Sequence, residues 1–182
     1  ASRQEAGQKL GRQLLAQKTP ADIILGLPRG GVIVAVAVAN VLHRPLDVLV
    51  VRKIGHPQFR EFALGALADG DVVVLDERAF ERSDVDPGKL QEIIAEESNR
   101  LRAYQAKFES RRRPVLDRKA VVLVDDGLAT GATTEAAVRS ARKQGAETVT
   151  VAVPVASESG LARLAKISDQ VIALIVDAHF QA

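Results

Sequence analysis

Two adjacent carboxylates, a glycine-bearing turn and two threonines fall within nine residues, Asp125-Asp126-Gly127-Leu128-Ala129-Thr130-Gly131-Ala132-Thr133. The apolar run Val121 to Val124 precedes them, and the amphipathic stretch Thr134 to Gln144 follows. A turn leading from a strand into a helix exposes backbone N–H groups with no intrahelical partner, at the positive end of the helix dipole. An anion belongs there. Thr130 and Thr133 add hydroxyl donors, and Gly131 lets a ligand approach the backbone without Cβ interference. Asp125 and Asp126 suit ribose hydroxyls or a hydrated Mg2+, which they would hold mostly through water or ligand oxygens. The segment as a whole, including Gly127, Ala129 and Ala132, is the expected binding surface for a phosphate joined to a sugar.

The elements that position this segment follow from periodicity. Ser2 and Glu5 form a capping box, and Ala6, Leu10 and Leu14 recur at helical spacing, predicting a first helix that ends near Lys18 before Thr19-Pro20. Ile23 to Leu27 reads as a buried strand, Pro28-Arg29-Gly30-Gly31 as a tight loop, and Val32 to Leu42 as a buried crossover helix. Leu46 to Val51 and Val72 to Leu75 read as strands, separated by a long, polar, glycine-punctuated loop over Arg52 to Asp71. A helix is expected from Pro87 to about Ser110, with Leu90, Ile93, Ile94, Leu101 and Tyr104 on its apolar side and Glu96 paired with Arg100. Three βα-type units close the chain: Val121 to Val124 with Thr134 to Gln144, Val149 to Val153 with Ser157 to Lys166, and a last strand at Val171 to Val176. Such alternation predicts an α/β fold, a mainly parallel sheet flanked by helices on both faces, with ligands at the carboxyl ends of its strands.

Composition narrows the chemistry. The 182 residues and 47% hydrophobic content suit one domain with one continuous core. The absence of cysteine excludes disulfides, thiolate nucleophiles and Cys-based zinc sites, and three scattered histidines offer no metal-ligand spacing. No apolar stretch reaches the roughly 20 residues of a membrane helix, and the N-terminus lacks a signal-peptide pattern, so the default expectation is a cytoplasmic protein without a membrane partner. A net charge of +2 does not demand nucleic-acid binding. Arg111-Arg112-Arg113 reads as a solvated helix end, Tyr104 and Phe108 as helix packing, and His56 and His179 as surface or loop residues without a role. Methionine is absent, which points to initiator removal or trimming and leaves the natural ends open.

The segment Asp125 to Thr133 behind its apolar strand resembles the ribose-phosphate signature of type I phosphoribosyltransferases. Gly26-Leu27-Pro28-Arg29-Gly30-Gly31-Val32 looks like that family's pyrophosphate loop, and Val51-Arg52-Lys53-Ile54-Gly55 like the start of its flexible catalytic loop. Glu61-Phe62-Ala63-Leu64-Gly65-Ala66 is similar to a bacterial and archaeal subgroup whose acceptor is uncharacterised. The resemblance implies a Mg2+-dependent transfer of ribose 5-phosphate from 5-phosphoribosyl 1-diphosphate to a nitrogenous base or related small acceptor. Nucleotide salvage is the implied setting. Arg29, Arg52 and Lys53 would tighten on the departing pyrophosphate, Gly30 and Gly31 would turn amides toward it, and residues 54 to 67 would close over the site. Glu61, the one carboxylate in that loop, is a candidate catalytic residue by loose analogy with adenine enzymes. Ala129 stands where 6-oxopurine enzymes typically carry an aspartate base, which shifts the expectation toward an adenine-like, orotate-like or unassigned acceptor. Relatives usually continue with an aromatic-rich tail, so a base-recognition hood that is incomplete at Ala182 is expected. A homodimer is compatible with the resemblance, and nucleic acid is not an expected partner. The alternative is a non-catalytic module of the same fold that senses the donor or a nucleotide. A generic Rossmann binder lacks support, since neither G-x-G-x-x-G after the first strand nor a P-loop occurs.

Overall fold

A computed structural model describes residues 2–107 and 114–181. Helix α1 (Arg3–Ala16) opens on the expected capping box, Ser2 Oγ accepting from the Glu5 amide while Glu5 accepts from the Ser2 amide. Strand β1 (Ile23–Gly26) leads into α2 (Gly30–Leu42) and then β2 (Leu46–Val48). In the second half β6 (Ala120–Val124) is followed by α5 (Ala132–Lys143), β7 (Thr148–Ala156), α6 (Glu158–Ala165) and β8 (Gln170–Val176). These five strands form an all-parallel sheet in the order β2-β1-β6-β7-β8.

Strand alternation assigns each face its core. Val121 and Leu123 of β6 pack with Val138, Ala141 and Leu164 from α5 and α6. Val122 and Val124 pack with Leu10, Leu14, Val34 and Val38 from α1 and α2. Helices α1 and α2 approach closely because Gly7 and Gly11 lack side chains. A Cβ on Gly7 would stand 2.7 Å from Ala37 Cβ, and one on Gly11 would stand 2.8 Å from Val41 Cβ.

From the middle of the sheet the chain winds outward in opposite directions, from β1 through α2 to β2 and from β6 through α5 to β7. The loops after β1 and β6 therefore leave the sheet side by side, where Gly26 is in register with Val124. This is a topological switch point, the place where open parallel sheets bind ligands.

The region between the halves departs from the sequence expectation. Leu46 to Val51 is not one strand: β2 ends at Val48, and β3 (Val51–Gly55) begins a second sheet. The stretch expected as a loop over Arg52 to Asp71, with 54–67 as its closing part, is mostly a β-hairpin, in which β3 pairs antiparallel with β4 (Ala63–Ala68), and β4 with β5 (Val72–Leu75). Its alternation was hidden because β4 is buried on both faces. Leu64 and Leu67 pack with Ile54, Leu90 and Leu101, while Ala66 and Ala68 pack with Ala136 of α5. Only residues 56–62 form the tip.

A short helix α3 (Glu77–Arg82), capped by Asp76, was not anticipated. Helix α4 (Pro87–Ala106) covers the hairpin. The expected helix end near Ser110, together with Phe108 and Arg111 to Arg113, lies outside the described residues. Arg100 pairs with Glu97 at 2.6 Å rather than with Glu96. His56 lies in the loop of the hairpin tip, as expected, but is buried: its Nδ1 accepts from the Gln58 and Phe59 amides and its Nε2 donates to the Ser83 carbonyl, which fastens the tip to α3. No helix among the described residues is long and apolar enough to cross a membrane.

Candidate functional site

The loop from Asp125 to Gly131 is fastened to the protein by hydrogen bonds at Leu128, Ala129 and Thr130. Leu128 N–H donates to the Val155 carbonyl, and the Leu128 carbonyl accepts from the Ser157 amide. Ser157 Oγ donates to the Ala129 carbonyl, and Arg163 Nη1 donates to the Thr130 carbonyl at 3.2 Å. Arg163 is in turn held by Glu135 in the first turn of α5. Gly131 is the N-cap of α5 with φ +83, a left-handed conformation, and a Cβ there would meet Leu164 Cδ2 at 2.6 Å. No side chain caps this helix. The amides of Ala132, Thr133 and Thr134 therefore have no hydrogen-bond partner among the described residues. Thr130 is exposed and Thr133 half-buried beside them.

Asp125 and Asp126 stand at the mouth of this turn and beside the first turn of α2. Gly30 and Gly31 belong to that helical turn rather than to a loop, and they are packed on the acidic pair. A Cβ on Gly31 would lie 2.9 Å from Asp125 Oδ1, and one on Gly30 would collide with Asp126 Oδ2. The N-terminus of α2 thus stands against two carboxylates, a favourable placement for negative charge. Asp125 Oδ1 accepts from the Asp126 amide at 2.8 Å. Burial pushes the Asp125 carboxyl from 3.8 up to about 7. The Asp126 amide opposes that push, the Asp126 charge adds to it, and nearby Lys53 pulls the other way. Asp126 Oδ2 also accepts from Arg3 Nε and Nη2 at 3.1 and 3.0 Å. No short-range signal announces Arg3, because its partner is 123 residues away.

The expected cations divide between two faces. Neighbouring residues of a strand point in opposite directions. Lys53 turns toward Asp125, whereas Arg52 turns toward α4 and donates through Nε to Glu97 at 2.7 Å. Both still line one cleft because β3 is an edge strand. Pro28 and Arg29 form another wall of that cleft; the Pro28–Arg29 peptide is cis and Arg29 is the N-cap of α2. Glu61 is exposed on the hairpin tip, away from the cleft lining, so the structure does not bring it to the other site residues. Sequence reasoning missed Glu97, whose signal was its i,i+3 spacing to Arg100, and Ser157, recognisable as the cap of α6. Gly127 lies under Phe180, whose ring would stand 2.6 Å from a Cβ at that position.

A family model described as "Phosphoribosyl transferase domain" matches residues 3–181. The chain belongs to the phosphoribosyltransferase family. It is 40% identical over 179 residues to two Mycobacterium tuberculosis proteins named "Putative phosphoribosyl transferase", a match covering 98% of this chain and 40% of each relative. The chain thus spans two-fifths of the length of those relatives. Among solved structures it is similar to TT1426 of Thermus thermophilus, with a TM-score of 0.78 and 41% identity, covering all of this chain and 86% of that one. A purine phosphoribosyltransferase of Pyrococcus horikoshii shares the fold at a TM-score of 0.57 and 19% identity, covering 98% and 84% of the two chains. The fold, a parallel sheet flanked by helices, is that of a type I phosphoribosyltransferase, as the sequence led us to expect.

Proposed function

We propose that the chain transfers the 5-phosphoribosyl group of 5-phosphoribosyl 1-diphosphate to a nitrogen of a small acceptor, a nucleobase or a related compound, releasing pyrophosphate. The observation that carries this reading is the order of groups across the switch point: three unpartnered amides, then two carboxylates, then Lys53. That order fits the order of groups in the donor. The 5-phosphate accepts from the amides of Ala132 to Thr134 and the hydroxyls of Thr130 and Thr133, and the ribose hydroxyls donate to Asp125 and Asp126. The diphosphate meets Lys53 and Arg29.

The C1–O bond to pyrophosphate breaks with its electron pair leaving on the diphosphate, and the acceptor nitrogen supplies the pair for the new C1–N bond. Cations gain most where charge grows during bond breaking, so Lys53 and Arg29 act on the transition state more than on the bound donor. Ala129 offers no base, so the acceptor's proton passes to solvent, which favours acceptors that do not require a protein carboxylate at that position. The fixed carbonyls of Ala129 and Thr130 keep the cradle amides aimed without reorganisation.

Magnesium fits the donor set. Its two adjacent carboxylates offer hard oxygen ligands, and burial, with a smaller contribution from the Asp126 charge, disfavours ionised Asp125 in the absence of a cation. Such an ion would be held mainly by ligand oxygens and water. Asp125 and Asp126 would hold it, and when bound it would neutralise charge on the diphosphate.

The test is a pyrophosphate-release screen across adenine, orotate, uracil, xanthine and nicotinate, with Asp125→Asn and Arg29→Ala as controls. Release with one acceptor that falls about 10²–10³-fold in the Arg29 control supports the reading. Release unchanged in both controls would sink the site assignment. Donor binding without release for any acceptor would favour the sensing module.

A further inference from the structure

The cleft beside the hairpin extends beyond Arg29 and Lys53, the cations assigned to the donor. It holds about 740 Å³ between Arg29, the edge strand β3, the hairpin tip and one face of α4, inside the roughly 300–1,000 Å³ of small-molecule sites. Helix α4 lines it from Lys89 to Tyr104, about 22 Å at 1.5 Å per residue. Six cations face it, Arg29, Arg52, Lys53, Arg60, Lys89 and Arg100, against the carboxylates Glu96 and Glu97.

Glu97 organises the centre of this cleft. Its side chain is only 13% exposed, and it accepts from Arg52 Nε at 2.7 Å and from Arg100 Nη1 at 2.6 Å. One carboxylate fixes two guanidiniums and neutralises one of them. A guanidinium carries five N–H donors in a rigid fork, so most donors of both side chains stay available in fixed directions. That is a preorganised pair for a phosphate, set on the hairpin face opposite to Lys53.

An acceptor does not belong here. The entering nitrogen and the leaving diphosphate occupy opposite sides of C1, and this cleft begins at Arg29, on the leaving side. From Arg29 it runs on along β3 and α4, which leaves room for a phosphate chain longer than two.

We propose that this cleft binds an oligophosphate of three or more phosphates, free or carried by a nucleoside, running from Arg29 to the Arg52–Arg100 pair. Arg60 flanks the chain, Lys89 does so in exchange for its exposed contact with Glu92, and Ile93 and Tyr104 give a carried nucleoside an apolar wall. Such a ligand competes with the donor at Arg29 and so regulates the site. The competition rests on the donor reading above, whereas the cleft itself does not.

The experiment is calorimetric titration of the chain with inorganic triphosphate, ATP and GTP, and separately with 5-phosphoribosyl 1-diphosphate. The expected result is one-site binding of triphosphate or a nucleoside triphosphate, weakened by salt, falling about tenfold or more in Arg100→Gln. Arg100→Lys should recover part of it, and donor affinity should stay within about twofold in both variants. A tighter nucleotide arm identifies a nucleoside-borne chain, and an equal inorganic arm a free one. Lys89→Gln serves as a second variant should Arg100→Gln melt abnormally. No binding of any of the three ligands, or binding untouched by both Arg100→Gln and Lys89→Gln, overturns the proposal. Triphosphate binding lost in Arg100→Gln alongside a donor that never binds would uphold the cleft and refute the donor site.

Discussion

Replacing Asp125 by Asn should stabilise the chain at alkaline pH while weakening donor binding. Burial raises this carboxyl from 3.8 to about 7 in the folded state. A folded-state value above the unfolded one means that the native state holds the extra proton between about pH 4 and 7. Stability therefore falls as pH rises through that window. The full displacement corresponds to about 4 kcal/mol of penalty on the ionised form once pH exceeds 7. Asparagine carries no charge and retains an oxygen for the Asp126 amide, which donates to Asp125 at 2.8 Å. The variant should gain about 2–4 kcal/mol at pH 8, and the gain should vanish toward pH 4. For a chain of this size that is about 5–15 °C in Tm. Thermal melts followed by circular dichroism at pH 4.5, 6 and 8, without donor or divalent cation, read it directly. A variant equal to the parent at every pH, or less stable at pH 8, would refute the burial argument.

Other substitutions probe the supports of the site. Gly131→Ala must adopt a positive φ and crowd Leu164, so it should lose about 1–3 kcal/mol in urea denaturation and bind donor more weakly. Glu97→Gln leaves Arg52 and Arg100 without their shared carboxylate, and a loss of about 1–3 kcal/mol is expected by the same method. Arg3→Ala should change stability by less than about 1 kcal/mol, because the Arg3 side chain of that ion pair is 58% exposed.

The parallel half of the fold was legible because its signals are local. The Ser2–Glu5 capping box, the run Val121 to Val124 and the threonine-glycine turn each announce an element within a few residues, and the structure moves their ends by one or two positions. The hairpin was not legible for the opposite reason. In β4 the buried residues include Ala66 and Ala68 on one face and Leu64 and Leu67 on the other, which erases the polar–apolar alternation that marks a half-buried strand. Once β3 is a strand, Arg52 and Lys53 cannot share a face, and that separation creates the cleft against α4. At the candidate site the sequence identified the groups on the two switch-point loops. It could not identify Arg3 or Arg163, whose partners lie 123 and 33 residues away and are brought together only by tertiary packing.

The central claim is that the N-terminus of α5 holds the donor's phosphate. Backbone amide NMR of 15N-labelled protein titrated with 5-phosphoribosyl 1-diphosphate and Mg2+ tests it at the atoms involved. The account predicts the largest downfield proton shifts at Ala132, Thr133 and Thr134, the amides that lack a protein partner. A donor that binds while these three resonances stay in place, or that does not bind at all, would contradict it.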